Sequence, residues 1–187
     1  MNAPPKIHMN PEEFLAWGEA QSDGRYELVR GEVVMMAPEP ARHNLVKLAI
    51  ARALQDTASA AHVNGVVFTD GIGVRTGLET IREPDASFQL GNDVDLDATI
   101  VNSPLIVVEV VSPSSVNTDE NEKLAEYFSV PSIMHYLVVW PKQKTCYHHK
   151  RIGDDKVLTT IVRQGTIEFD PPGLTIAMND IFNEVDR

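Results

Sequence analysis

Sulfur chemistry is almost missing from this chain, which has one cysteine, Cys146. A lone thiol closes no internal disulfide and builds no Cys-rich zinc site, so a reducing cytoplasm is the compartment to expect. No apolar run approaches the roughly 20 residues that cross a bilayer. The opening Met1-Asn2-Ala3-Pro4-Pro5-Lys6-Ile7-His8 has no signal-peptide core, so no membrane partner is expected. Basic residues are in deficit: 16 Lys and Arg against 27 Asp and Glu leave a net charge of −11. Such a balance repels nucleic acid at long range and argues against tight, metal-free DNA binding. It does not forbid a local basic patch, and acidic metal sites themselves add negative charge. Familiar catalytic loops are absent as well. The chain has no P-loop, no Gly-x-Ser-x-Gly and no His-Glu-x-x-His. The stretch Gly71-Ile72-Gly73-Val74-Arg75-Thr76-Gly77 imitates a dinucleotide loop, but with the wrong spacing and no helix behind it.

What remains is an ordinary globular composition, 43% hydrophobic over 187 residues. That length suits a single domain over 1–187 with a real core, its residues 1–9 a flexible arm. Asn10-Pro11-Glu12-Glu13 reads as a helix start, and Tyr26 to Val29 with Glu32 to Met36 as a hairpin around Arg30-Gly31. His43 to Ala58 reads as a helix with Leu45, Leu48, Ala49, Ala51 and Leu54 as its apolar face. Strands are expected over Val63–Phe68, Ile72–Arg75, from Glu83 to Phe88, and over Leu105–Val111. A helix capped by Thr118 should run to about Ser129. Met134 to Trp140 is an apolar strand, and a β-rich tail follows. The plan is mixed α/β, a sheet covered by helices.

One residue stands out. Glu109 interrupts Leu105-Ile106-Val107-Val108-Glu109-Val110-Val111, a β-branched run that reads as a buried central strand. An unpaired carboxylate there costs several kcal/mol by rough estimate, so a lysine, a metal ion or a raised pKa must compensate it. Asp85, at the start of the preceding strand, would face Glu109 if the acidic Gly91 to Asp97 loop returns the chain antiparallel. Two converging carboxylates are hard ligands suited to Mg2+ or Mn2+, and a metal held there activates water and stabilises charge on a phosphate. Lys123 lies on the helix leaving the Glu109 strand, where it can position the nucleophile or neutralise an oxyanion. Asp119 and Lys123 share a helix face at i, i+4, with Tyr127 one turn on.

Taken in order, Tyr26-Glu27-Leu28-Val29-Arg30-Gly31-Glu32, His43, Pro84-Asp85, Val107-Val108-Glu109-Val110-Val111-Ser112-Pro113-Ser114-Ser115, Asp119, Lys123, Tyr127 and His135-Tyr136-Leu137-Val138-Val139 resemble the Uma-type family. That family is classed with endonucleases of the restriction-endonuclease-like PD-(D/E)xK superfamily. The resemblance covers about residues 10 to 150. It implies a restriction-endonuclease-like mixed β-sheet flanked by helices, with a β-rich C-terminal extension. It also implies Asp85 and Glu109 as metal ligands and Lys123 as the catalytic lysine, displaced from its usual place two residues after the glutamate, where Val111 stands. Glu27 would be a further acidic ligand or acceptor, and His43 would line the same site.

The leading expectation is therefore a Mg2+- or Mn2+-dependent nuclease acting on DNA, paired as a homodimer. Met134 to Trp140 and the β-rich tail offer room for that interface. Lys142, Lys144, Lys150 and Arg151, beside His148 and His149, form the only basic cluster available to phosphate, though the same residues also fit a solvated hairpin. Two other readings stand beside this one. The chain fits a binding or assembly module on a nuclease fold, or an enzyme acting on RNA or a small phosphoester.

Overall fold

A computed structural model describes residues 7–22, 24–111 and 120–183. Helix α1 (Pro11–Glu19) opens on a capping box: the Asn10 side chain accepts from the Glu13 amide at 2.9 Å, and Glu13 accepts from the Asn10 amide at 2.9 Å. Its Phe14 packs on Leu28 and Ile81. These two belong to strands β1 (Tyr26–Val29) and β5 (Thr80–Arg82) of a four-stranded antiparallel sheet, completed by β2 (Glu32–Met35) and β4 (Val74–Gly77) in the order β2-β1-β5-β4. The β1–β2 turn is Arg30-Gly31, with both φ angles positive at 51° and 78°, as a two-residue hairpin twisted with its strands requires. Residues 7–9, expected as part of a loose arm, run beside β2: the Val33 amide donates to the Ile7 carbonyl at 3.0 Å and the Met9 amide to the Gly31 carbonyl at 2.8 Å.

The main sheet has six strands in the order β10-β9-β8-β7-β6-β3. They are β3 (Gly65–Thr69), β6 (Ala86–Leu90), β7 (Pro104–Val110), β8 (His135–Trp140), β9 (Thr145–Gly153) and β10 (Lys156–Val162). Every pairing is antiparallel except β7–β8, which helix α3 (Glu120–Ser129) connects. Alternation along β7 divides the core. Ile106, Val108 and Val110 pack under helix α2 (Ala41–Ala60), while Val107 faces Tyr127 of α3 with Tyr136 and Val138. The hairpin β11 (Thr166–Phe169) and β12 (Leu174–Ala177), with the short α4 (Met178–Phe182), closes the far side of α2.

The α2 face holds the expected Ala49, Ala51 and Leu54 and differs from the expected one at Leu45 and Leu48. Val46, Ile50, Leu54 and Ala58, four residues apart, are buried, and Leu45 and Leu48 are exposed. Each fully buried Val, Ile or Leu contributes about 1.5–3 kcal/mol, so the stripe at i, i+4 sets the helix rotation. The strands expected over Val63–Phe68 and Ile72–Arg75 begin two residues later and lie in different sheets, and β5 between β4 and Asp85 escaped notice because it is three residues long. The tail is split: β9 and β10 extend the main sheet, and only β11–β12 stands apart. β8, expected as a partner surface, is an interior strand buried from His135 to Val139. His148 and His149, expected on a solvated hairpin, are buried on β9. His135 Nε2 lies 2.7 Å from the Pro171 carbonyl and must donate to it, so His135 Nδ1 accepts from His148 Nε2 at 2.9 Å. The Thr118 cap and Asp119 lie outside the described residues. No described helix is long and apolar enough to cross a membrane.

Candidate active site

The two expected acids meet through the β6–β7 ladder. The Asp85 amide donates to the Val108 carbonyl at 3.0 Å, one step before β6 begins, and the Val110 amide returns a bond of 2.6 Å to Asp85 Oδ2. Asp85 is thus tied to the peptide that follows Glu109. Around the same carboxylate, His43 Nε2 lies 3.2 Å from Oδ2, and Lys47 Nζ lies 3.2 Å from Oδ1. Burial pushes the Asp85 carboxyl up, but His43, the Val110 amide and Lys47 together hold it below the ordinary range.

Glu109 is answered from α3. Lys123 Nζ and the Tyr127 hydroxyl, four residues apart on one helix face, donate to Glu109 Oε1 at 2.8 Å and 2.6 Å. Among the described residues nothing donates to Oε2. The Glu109 and Lys123 side chains are only 14% and 17% exposed, so the charge-assisted bonds act with little screening. Burial pushes Glu109 up; Lys123 pulls it down, and the Asp85 and Glu27 carboxylates push it up further. Burial alone would lower Lys123, yet Glu109 and Glu27 hold its ammonium above the ordinary lysine value. Burial, with the Glu109 charge beside it, raises Tyr127 well above the usual phenol value, which keeps its proton on as a donor.

Glu27 is present but occupied. Its Oε2 accepts from Arg82 at 3.0 Å, its Oε1 from the Glu83 amide at 3.1 Å, and Lys123 Nζ stands 3.9 Å away. Arg82 also grips Glu126 with two bonds, of 2.6 Å and 3.0 Å, so this buried guanidinium ties β5 to β1 and α3. Behind Asp85, Lys47 Nζ reaches Glu39 at 2.8 Å and Asp70 at 2.7 Å. Asp85, Glu109, Lys123, Glu27 and His43 all line one cleft of about 360 Å³, with Val34, Met35 and Met36 of the hairpin forming an apolar rim.

The cleft fits a divalent ion. Oxygen donors dominate it, Glu109 Oε2 has no donor among the described residues, and five carboxylates surround the two lysines, Glu27 and Glu109 at Lys123 and Glu39, Asp70 and Asp85 at Lys47. A second grouping shares Asp85: Glu39, His43 and Asp85 each offer a ligand atom, all within 4.8 Å of one another. Lys47 stands beside it as a built-in cation. Sequence reading missed Lys47, Glu39 and Arg82. The signal for the first two was present, since Glu39, His43 and Lys47 follow one another at four-residue steps. Arg82 carried no such periodicity.

The expected basic cluster is dispersed. Lys142 and Lys144 precede β9, while Lys150 and Arg151 lie toward its other end, with Lys144 and Lys150 about 20 Å apart at 3.4 Å per residue. Arg151 donates to the carbonyls of Ile133, Phe128 and Val130 at 3.0, 2.8 and 3.1 Å and stacks on Phe128. It pins the α3–β8 connection.

A mixed sheet flanked by helices, with Glu109 on β7 and Asp85 just before the antiparallel β6, has the architecture of the restriction-endonuclease-like α/β class. A family model described as "Uma2: Putative restriction endonuclease" matches residues 11–179, and the chain belongs to that family. Its curated relatives include two uncharacterized proteins of Synechocystis. The protein sll1609 is 24% identical over 76% of this chain and 81% of its own length, and slr1290 is 22% identical over 93% and 91%. Among solved structures, a "putative nuclease belonging to DUF820" from Anabaena variabilis superposes with a TM-score of 0.74. It is 13% identical, over 96% of this chain and 98% of that one, a likeness of fold.

Proposed function

We propose that the chain is a metal-dependent endonuclease that hydrolyses phosphodiester bonds in DNA and works as a homodimer. The observation that carries this reading is the Glu109 carboxylate in an apolar strand, bonded to Lys123 at 2.8 Å and sharing its cleft with Asp85. Asp85 and Glu109 would hold Mg2+ or Mn2+, with His43 and Glu39 at hand on the Asp85 side. The chemistry such an ion supplies is Lewis-acid activation of water and relief of charge on the phosphate. Lys123 orients the attacking water through its ammonium and steadies the charge that develops on the phosphoryl oxygens. Tyr127 holds Glu109 in the rotamer that presents Oε2 to the cleft. His43 and the Val110 amide do the same for Asp85, and Arg82 keeps Glu27 within electrostatic reach of Lys123.

A second reading, a nuclease-fold binding module without catalysis, is favoured by one observation: Arg151, a cation expected to meet phosphate, is spent on backbone carbonyls. One experiment separates the two. Plasmid, single-stranded DNA and RNA are incubated with wild type, Asp85→Asn and Glu109→Gln in Mg2+, Mn2+ or EDTA. Cutting of DNA that needs the metal and both acids supports the nuclease. Absence of cutting with Mn2+ bound moves the reading to the binding module, and cutting of RNA alone changes the substrate.

A further inference from the structure

The cleft draws on α2, α3, β6, β7 and the small sheet, and the far edge of the main sheet takes no part in it. That edge is β10. It is last in the strand order, so one side of its backbone pairs with β9 and the other pairs with nothing among the described residues. Every residue from Lys156 to Ile161 is exposed, with Leu158 at 52% and Ile161 at 51%. Soluble proteins guard such an edge with proline, charge, a bulge or a covering helix. β10 has no proline and a single charge, Lys156, at its first position. Its one register irregularity falls between Lys156 and Val157, which leaves the ladder from Val157 to Val162 regular.

We propose that β10 is the dimerisation edge: it pairs antiparallel with β10 of a second copy of this chain and joins two six-stranded sheets. The inference gives the homodimer of the preceding reading its surface and is independent of the chemistry in the cleft. Charge selects the occupant. At one end of β10 the exposed turn residues Asp154 and Asp155 outweigh Lys156, and at the other stands exposed Arg163. None of Asp154, Asp155 and Arg163 enters an ion pair among the described residues. Antiparallel self-pairing brings the acidic turn of each copy to Arg163 of its partner, twice by symmetry, whereas parallel pairing would set like charges together. Between the ends, Val157 to Val162 carries no charge, so two chains of net charge −11 meet there without local repulsion. The symmetry also closes the assembly at two copies. Pairing β10 with β3, the opposite edge of the sheet, would repeat without end.

Sedimentation velocity of the full chain over a wide concentration range tests this, with circular dichroism on every variant. Wild type should form one discrete dimer. Leu158→Lys with Ile161→Lys should sediment as a monomer with an unchanged spectrum, because both side chains are exposed. Arg163→Glu, or Asp154→Lys with Asp155→Lys, should weaken association roughly tenfold, two rim pairs each counting for about 0.7 kcal/mol. All three charge changes in one chain should restore wild-type affinity. A monomeric wild type overturns the homodimer and this surface together. A dimer indifferent to the two lysines, open-ended association, or a charge swap that fails to restore pairing overturns the surface alone.

Discussion

Glu109 is tolerated in an apolar strand because Lys123 and Tyr127 answer one of its oxygens. Removing the ammonium while keeping the volume isolates that role. Lys123→Met should destabilise the fold by about 3 kcal/mol at neutral pH, since it leaves an unpaired charge in the interior. The loss should shrink in acid, where Glu109, already pushed upward by burial, takes a proton. Urea denaturation at two pH values measures this, and an equal loss at both would mean that the contact matters by packing alone. Nuclease turnover, if Lys123 aligns water, should fall by at least about a hundredfold in the same variant. Arg82→Lys is the companion test. A lysine keeps the charge but cannot reproduce the guanidinium's bond to Glu27 together with its fork on Glu126, so melting should drop by a few degrees without loss of secondary structure.

At the scale of elements, α2 separates what is buried from what is merely apolar. Leu54→Ala should cost about 2–5 kcal/mol, whereas Leu45→Ala and Leu48→Ala should stay within about 0.5 kcal/mol. Denaturation midpoints decide, and a large loss at Leu48 would contradict the observed rotation of the helix. These residues also mark how far the sequence could be read. Leu45 and Leu48 fit a helical period as well as Val46, Ile50 and Ala58 do. The facing surface from β7 and from β11–β12, remote in sequence, chooses between them. The β7 strand and its acid were legible because a charge inside a β-branched run has few explanations. Lys123 and Tyr127 were legible because the chain leaves β7 into their helix. Arg82 was not, because its partners Glu27 and Glu126 lie 55 and 44 residues away, whereas Lys47 was marked by its four-residue steps from Glu39 and His43. The basic stretch misled for the opposite reason: neighbours in sequence separate along an extended strand, and a guanidinium beside free carbonyls goes to them.

For the whole molecule, acid should act through the histidines that join β8 and β9 to the Pro171 turn. Burial pushes His135 and His148 down from 6.5 to about 4. The folded chain therefore refuses protons that the unfolded chain accepts below about pH 6.5. Stability attributable to the pair should be constant above about pH 7, fall as the pH drops from 6.5 to 4, and level off below. A proton added at Nδ1 of His135 would also set it against Nε2–H of His148. Urea midpoints between pH 8 and pH 5 give the slope, and His148→Gln should flatten it; an unchanged slope would assign the acid sensitivity elsewhere. Metal should act differently. If Asp85 and Glu109 bind Mn2+ in the native state only, the ion should raise the melting temperature, and EDTA should cancel the rise without unfolding a core built apart from the cleft. Asp85→Asn should show no rise.

The bond from the Val110 amide to Asp85 carries a mechanical corollary. Each acid is geared to its neighbour through a single peptide unit, so sliding β6 past β7 would drag the two carboxylates out of alignment at once. If the cleft acts as proposed, adaptation to a new substrate is confined to parts that can shift without turning that gear: the Val34–Met36 lip on one side and the helix bearing Lys123 on the other. Diversity among relatives of this chain should collect at the lip, while the strand pair beneath keeps a constant spacing.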